Sequence, residues 1–138
     1  GECMDTDIVI PSVSPDGDTV VAIGQKAFEY QTGITSVTIP DTVTLIDKGA
    51  FSNCTGLQII NIPRSVTKIS QNAFSGCSSL ESIFIPDTVD TISLMTFLGC
   101  GHLTIFCETA SKPAGWNEMW NLYALPSSYC EVVWEYRG

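Results

Sequence analysis

One stretch decides the fold of this chain: Ile62-Pro63-Arg64-Ser65-Val66-Thr67-Lys68-Ile69-Ser70-Gln71-Asn72-Ala73-Phe74-Ser75-Gly76-Cys77-Ser78-Ser79-Leu80-Glu81-Ser82-Ile83-Phe84. It is one unit of a repeat of about 23 residues, and the same spacing recurs on both sides of it. The positions in register are Pro40, Pro63 and Pro86; Val43, Val66 and Val89; Ile46, Ile69 and Ile92; Phe51, Phe74 and Phe97; Cys54, Cys77 and Cys100; Leu57, Leu80 and Leu103. A fixed period of about 20–50 residues is typical of a solenoid, where each unit buries its apolar face against its neighbours.

Each unit contains a short strand with the pattern Leu-x-x-Ile-x-Ile-Pro, in which inward and outward side chains alternate. Strands of successive units are expected to pair in parallel, about 4.8 Å apart, and to stop at the proline, which has no amide to donate. The segment 71–77 suits one or two turns of helix, with Gly76 at the C-terminal end. The pattern therefore predicts a parallel sheet on one side of the stack and helical turns on the other.

The repeat sets the predicted organisation of the chain as one domain. Residues 1–11 are an N-terminal strand or cap remnant, 12–107 are repeats, and 108–138 form a C-terminal cap. The first unit holds an insertion at 14–19, whose Pro and Gly favour a turn. The opening Gly1-Glu2-Cys3 suggests that the chain is a fragment of a longer protein, with Cys3 belonging to a preceding segment.

The cap departs from the period. An i, i+3, i+4, i+7 pattern from Trp116 to Tyr123 predicts a short helix over 113–123, opened by Pro113. Residues 132–136 are expected to form a final strand or an edge segment. Trp116 and Trp120 are predicted to be core residues of the cap, and a sugar-stacking platform is the alternative.

Composition argues against several functional classes. The formal net charge is −9 and the six basic residues are scattered, which disfavours nucleic acid and anionic membranes as partners. No apolar run reaches the roughly 18–20 residues of a membrane span. His102 is the only histidine, no glycine-rich phosphate loop is present, and Asp41 and Asp87 are separated in the stack by Arg64. We therefore expect no enzyme activity and no cofactor.

The six cysteines fall into three groups. Cys54, Cys77 and Cys100 occupy one repeat position and are predicted to form a ladder of buried thiols, not a metal site or a catalytic nucleophile. Cys107 and Cys130 lie one period apart, so they are candidates for a disulfide that would clamp the cap, with free buried thiols as the alternative. Cys3 has no predicted partner.

The candidate partner-binding residues point outward from the predicted sheet. One outward column contains Val9, Thr38, Asn61, Phe84 and Phe106, a second contains Asp7, Ser36, Ile59 and Ser82, and a third contains Thr35, Gln58 and Glu81. Large apolar side chains where solvent is expected often mark a contact site. The candidate site is therefore Gln58, Ile59, Asn61, Glu81, Phe84 and Phe106. The alternative is that Phe84 and Phe106 pack under the cap or against each other.

The strand Leu57-Gln58-Ile59-Ile60-Asn61-Ile62 resembles the signature of leucine-rich repeats, and residues 7–107 resemble the BspA-like class of that family. Ser111-Lys112-Pro113-Ala114-Gly115-Trp116 and the late Cys130-Glu131-Val132-Val133-Trp134 are similar to the ending of secreted bacterial members. The resemblance implies an α/β, right-handed leucine-rich-repeat solenoid on a bacterial surface or secreted from it. It also implies adhesion or protein contact, with host matrix or plasma proteins as the class of partner.

The expected function is a non-catalytic binding module that engages a protein through the outward face of its sheet. A carbohydrate-binding module that uses the cap tryptophans and a structural spacer are the alternatives. A monomer is favoured.

Overall fold

The computed structural model describes residues 6–137, so Cys3 and the start of the predicted N-terminal cap lie outside the described residues. The described chain contains short β-strands and tight turns. The strands are β1 Asp7–Val9, β2 Ala22–Ile23, β3 Ser36–Thr38, β4 Leu45–Ile46, β5 Ile59–Ile60, β6 Lys68–Ile69, β7 Ser82–Ile85, β8 Thr91–Ile92, β9 Thr104–Cys107, β10 Leu122–Ala124, β11 Ser128–Tyr129 and β12 Glu131–Val133.

The strands build a parallel-sheet solenoid of about five turns. The N-terminal sheet has the order β1-β3-β5, the C-terminal sheet β7-β9-β12, and the lateral sheet β2-β4-β6-β8. Neighbours within these three sheets are parallel. Equivalent repeat positions pair between β3 and β5 and in the lateral sheet: Val37 lies beside Ile60, and Ile46 beside Ile69. The parallel stacking predicted from the repeat is confirmed.

Equivalent side chains lie above one another in the interior. The ring centroids of Phe28, Phe51, Phe74 and Phe97 follow at 5.2, 5.5 and 5.7 Å, with planes within 6° of parallel. The last three rings have no exposed surface, like the valine, isoleucine and leucine columns beside them. Burial of these columns is the main force that holds the turns together.

The predicted helical turns at 71–77 and its equivalents are wrong, since the described residues contain no helix. Every second amide of each turn instead donates to a carbonyl of the next turn. The amide of Phe28 donates to the carbonyl of Ala50 (2.7 Å), and the amide of Phe51 to the carbonyl of Ala73 (2.8 Å). Residues with positive φ interrupt any right-handed helix at two positions of each turn: Lys26, Gly49, Asn72 and Met95, and Tyr30, Asn53, Gly76 and Gly99. The turns therefore form a hydrogen-bonded ladder of their own.

The helix predicted over 113–123 is also wrong. Trp116 makes a parallel bridge with Ile92, which adds one residue to the edge of the lateral sheet. The amides of Met95 and Gly99 donate to the carbonyls of Met119 and Tyr123, so this segment continues the turn ladder. The apolar spacing was correct that Trp116 and Trp120 are buried, but Met119, at the i+3 position, is 39% exposed, and the backbone follows the solenoid. β10 and β11 then form an antiparallel hairpin, and β12 returns to pair with β9.

The thiols of Cys54, Cys77 and Cys100 form the predicted buried ladder, each donating to the carbonyl of a phenylalanine one turn earlier at 3.1–3.2 Å. Cys130 extends this ladder, since its Sγ lies 3.6 Å from the carbonyl oxygen of Cys100. Cys107 lies elsewhere in the core.

The structure contradicts a Cys107–Cys130 disulfide, because both thiols are free. Glu131 pairs with Thr104 in the register, so Cys130 lies four positions from Cys107 along the strand direction. Four positions are roughly 13 Å, which exceeds the reach of a disulfide. A separation of one period therefore placed Cys107 and Cys130 in neighbouring turns of the chain, but not at paired positions.

Candidate partner-binding surface

The front face, defined as the outward surface of the N-terminal and C-terminal sheets, carries the six residues predicted for partner binding. The register places Val9 beside Thr38, and Phe84 beside Phe106. Gln58, Asn61 and Glu81 are exposed, and Ile59 has 67% of its surface exposed. Phe84 and Phe106 are half-buried. The sequence pattern therefore gave the correct side of the sheet for all six residues, and the structure divides them into two groups.

The front face is divided at a seam between β5 and β7, which belong to different sheets. No backbone hydrogen bond joins residues 58–62 to residues 81–85. The lateral sheet and the turn ladder both continue past this point. The seam separates a polar N-terminal part of the front face from an aromatic C-terminal part.

Asn61 accounts for the early end of β5. Its Oδ1 accepts a hydrogen bond from the amide of Ile39 at 2.6 Å, and its Nδ2 donates to the carbonyl of Ile39 at 3.0 Å. The side-chain amide thus satisfies both backbone groups of a residue in the preceding turn. Asn61 therefore has a structural role at the front face, beside the binding role predicted for it.

Gln58 and Glu81 lie on the two sides of the seam, at the edge of a pocket of about 270 Å³. Ser78, Ser79 and His102 complete its lining. His102, the only histidine of the sequence, lies on an exposed turn. Its position one repeat after Ser79 was the signal that it would approach this pocket. Ile59 stands beside the pocket as the largest exposed apolar side chain of the N-terminal part.

The aromatic part consists of Phe84, Phe106 and Tyr136. The ring of Tyr136 lies 4.8 Å from that of Phe106 and 5.9 Å from that of Phe84, at tilts of 53° and 59°. Tilted contacts at these distances are favourable for aromatic rings. The two phenylalanines therefore pack under the C-terminal segment, the alternative that the sequence left open.

The chain reverses at Glu135, which has a φ of 58°, to bring Tyr136 onto the front face. The amide of Glu135 then donates to the carbonyl of Thr109 (2.8 Å), and that of Tyr136 to the carbonyl of Cys107 (2.9 Å). Arg137 donates to the carbonyl of Glu108 at 2.8 Å. Sequence reasoning missed Tyr136, because an extended strand through 132–136 would have continued away from Phe84.

An ionic cluster stands beside this segment. Arg64 bonds Glu108 and also Asp87, the latter at 3.3 Å, and the amide of Asp87 donates to Glu108 at 2.9 Å. The hydrogen bond from Arg64, followed by that from the Asp87 amide, lowers the pKa of Glu108 to about 2. Glu108 is therefore ionised at neutral pH. The cluster ties three successive turns together at the rim of the front face.

Burial leaves the thiols unreactive. It raises the pKa of Cys100 to about 12 and that of Cys130 to about 11, and it also raises that of Cys77. A thiol must ionise before it attacks an electrophile or binds a metal. Within residues 6–137 no group of three or more His, Cys, Asp or Glu side chains is arranged to hold a metal ion.

The cap tryptophans cannot form the alternative sugar platform. Trp116 and Trp120 are 1% and 3% exposed, and the indole nitrogen of Trp116 donates to the carbonyl of Val89 at 3.0 Å. Stacking on a sugar needs an exposed ring face, which neither residue has. Their predicted role as core residues of the cap is confirmed.

Comparison with known proteins points to one family. The sequence model described as BspA type leucine rich repeat region, with 6 copies, matches residues 9–111. No curated protein matches the chain. In the described residues, no helix is long and apolar enough to span a bilayer.

Solved bacterial structures share the fold. A leucine-rich repeat protein of T. pallidum is 33% identical, with a TM-score of 0.70 over 73% of this chain and 47% of that protein. One from Bacteroides ovatus is 38% identical, with a TM-score of 0.64 over 73% of this chain and 29% of that protein. A leucine rich cell surface protein of Faecalibacterium prausnitzii is 29% identical, with a TM-score of 0.52 over 90% of this chain and 36% of that protein. The chain thus spans less than half the length of these three proteins.

Proposed function

Because the chain belongs to the BspA-type leucine-rich repeat family, we propose that it is a non-catalytic protein-binding module whose front face contacts the partner. In this proposal the module is part of a secreted or cell-surface bacterial protein and serves in adhesion. Support for the location is the similarity to a leucine rich cell surface protein. The division into 1–11, 12–107 and 108–138 within a longer parent protein belongs to the same proposal.

The observation that carries the proposal is the exposure of Ile59. It retains 67% of its surface on the front face, and it follows Gln58, which lines the polar pocket. An apolar side chain at the centre of a patch with polar groups around it is the usual anatomy of a protein interface. Ile59, Gln58, Glu81, Phe84 and Phe106 are the proposed contacts, and Asn61 supports them through its bonds to Ile39.

The non-catalytic part of the proposal has separate support. The buried thiols are held protonated, and the one histidine lies on an exposed turn beside polar residues. Nucleophilic catalysis needs a nucleophile and a base within hydrogen-bond reach. No such pair occurs among the side-chain hydrogen bonds of His102 or of the cysteines in the described residues.

The test is binding of the purified chain to a panel of purified matrix and plasma proteins by surface plasmon resonance. Ile59→Arg should weaken binding to any member that binds by at least about tenfold, as expected for a central interface residue. Thr67→Arg is the matched control, since it adds the same charge to an exposed position beside the lateral sheet. Equal affinity of both variants and wild type, or no binding to any member, would overturn the proposal.

A further inference from the structure

We propose that the aromatic part of the front face recognises a short segment in which an aromatic residue is followed by a basic one, and that residues 135–137 occupy this site as an internal ligand. The inference rests on the proposed function and specifies the chemistry of the partner. The proposed site consists of the rings of Phe84 and Phe106 together with the carbonyls of Cys107, Glu108 and Thr109.

The internal segment makes three kinds of contact that an external peptide would repeat. The Tyr136 ring packs on both phenylalanines, and the amides of Glu135 and Tyr136 donate to carbonyls at 2.8 and 2.9 Å. The Arg137 guanidinium donates to a third carbonyl at 2.8 Å. Backbone hydrogen bonds give such a site affinity for a peptide backbone, and the ring and the cation give selectivity.

The segment lies on the surface of the domain, which distinguishes it from the structural cap. Tyr136 is 36% exposed, whereas Trp116 and Trp120 are 1% and 3% exposed. The front-face phenylalanines are also only half-buried beneath it. Residues 135–137 can therefore leave without opening the core of the solenoid.

The reversal at Glu135 makes this release easier. Its φ of 58° is in the left-handed region, which is unfavourable for a residue with a side chain. The contacts of Tyr136 and Arg137 offset that cost while the segment is seated. A competing peptide that replaces those contacts would allow Glu135 to relax.

Charge favours a basic partner. The chain has 15 acidic and 6 basic residues, for a formal net charge of −9. Such a field attracts cationic segments and speeds their association at low salt. The observed cation at the site, Arg137, agrees with this preference.

The test uses the full chain and an acetylated, amidated pentapeptide with the sequence Val-Trp-Glu-Tyr-Arg, titrated by NMR. Because a tethered ligand competes at high effective concentration, Tyr136→Ala should bind the peptide at least about tenfold more tightly than wild type. Tyr136→Leu, which keeps an apolar side chain, is the second variant in case Tyr136→Ala unfolds. A peptide with Ala in place of Tyr, and one with Glu in place of Arg, should each bind at least about fivefold more weakly.

Equal peptide affinity for wild type and both Tyr136 variants would overturn the inference, as would equal affinity for the Ala-substituted peptide. Adding Phe106→Ser to Tyr136→Ala should abolish peptide binding. The panel experiment with Ile59→Arg is separate, because Ile59 lies in β5, on the other side of the seam from Phe84 and Phe106. If a protein of the panel binds the chain but the peptide does not, this inference is wrong and the proposed function is unaffected.

Discussion

The phenylalanine column is packed differently at the two ends of the solenoid. At the C-terminal end, Phe97 meets the edge of Trp120 at 6.3 Å, and Trp116 and Trp134 pack beyond it. At the N-terminal end, Phe28 has one ring neighbour in the column and is half-buried, and Val21 and Tyr30 are 54% and 67% exposed. In a repeat protein each turn is stabilised by its neighbours. Among the described residues, one repeat position should therefore contribute more near the C-terminal end, called the capped end, than near the N-terminal end, called the open end.

The largest effect is expected from Trp116→Ala. The change removes a buried indole that packs on two other tryptophans and donates a buried hydrogen bond to Val89. We expect the free energy of unfolding to fall by about 3–5 kcal/mol. Tyr30→Ala, the control at the open end, should cost less than about 0.5 kcal/mol because Tyr30 is exposed. Urea denaturation followed by circular dichroism measures both, and similar losses would mean that the cap does not close the core.

A smaller contrast is expected within the phenylalanine column itself. Phe74 stacks on rings in both neighbouring turns, so Phe74→Ala should cost about 3–5 kcal/mol. Phe28→Ala removes one such contact and a half-buried ring, so we expect about half that loss. The same urea experiment compares them. A larger loss for Phe28→Ala would show that the open end is stabilised by contacts beyond this column.

The column is also the feature that sequence reasoning predicted best. Spacing alone placed Phe51, Phe74 and Phe97 in one interior row, because burial depends mainly on the repeat position. Local rules failed where hydrogen bonds between turns competed with those within a turn. Asn72 and Gly76 adopt positive φ so that the turn can bond to its neighbour, which no pattern within a single unit indicates.

The front face was predicted in position but not in detail. Alternation along the strands indicated that Ile59 and Phe84 point outward, and both do. Which residues of the last section would return to cover Phe84 depends on the reversal at Glu135, a single backbone angle. The predicted disulfide was wrong for a related reason, since the register between β9 and β12 is set by the path of residues 108–138 and not by the period of the repeat.

Thiol labelling should show the contrast between the ends as a difference in rate. Cys54 is covered by the first turn, through a bond to the carbonyl of Phe28, while Cys77 is covered by the complete turn that contains Phe51. We expect a maleimide to modify Cys54 several-fold faster than Cys77 at pH 7.5, because the open end unfolds locally more often. Mass spectrometry of digested samples gives the order. Labelling of Cys77 or Cys100 first would contradict it, and labelling in urea provides the rates without structure.

The smallest effect concerns the ionic cluster near the capped end. Its cation, Arg64, is mostly exposed, which weakens its pairs with Asp87 and with the less exposed Glu108. The pKa of Glu108 is lowered from 4.5 to about 2 in the folded chain, mainly by the hydrogen bond from Arg64. Its carboxylate therefore stabilises the fold at pH values above about 4.5. This contribution is lost as the pH falls from about 4.5 to about 2, where the folded carboxylate also becomes protonated.

Glu108→Gln should accordingly lower Tm at pH 7, and the difference from wild type should shrink towards zero as the pH approaches 2. Asp41→Asn is the matched control, since Asp41 shares the repeat position of Asp87 nearer the open end and makes no ion pair with Arg64. Thermal denaturation at several pH values in low salt measures both variants, because salt screens exposed pairs. A Tm difference for Glu108→Gln that stays constant down to pH 2 would mean that Glu108 acts by packing, and the cluster would then contribute nothing electrostatic to the contrast between the two ends.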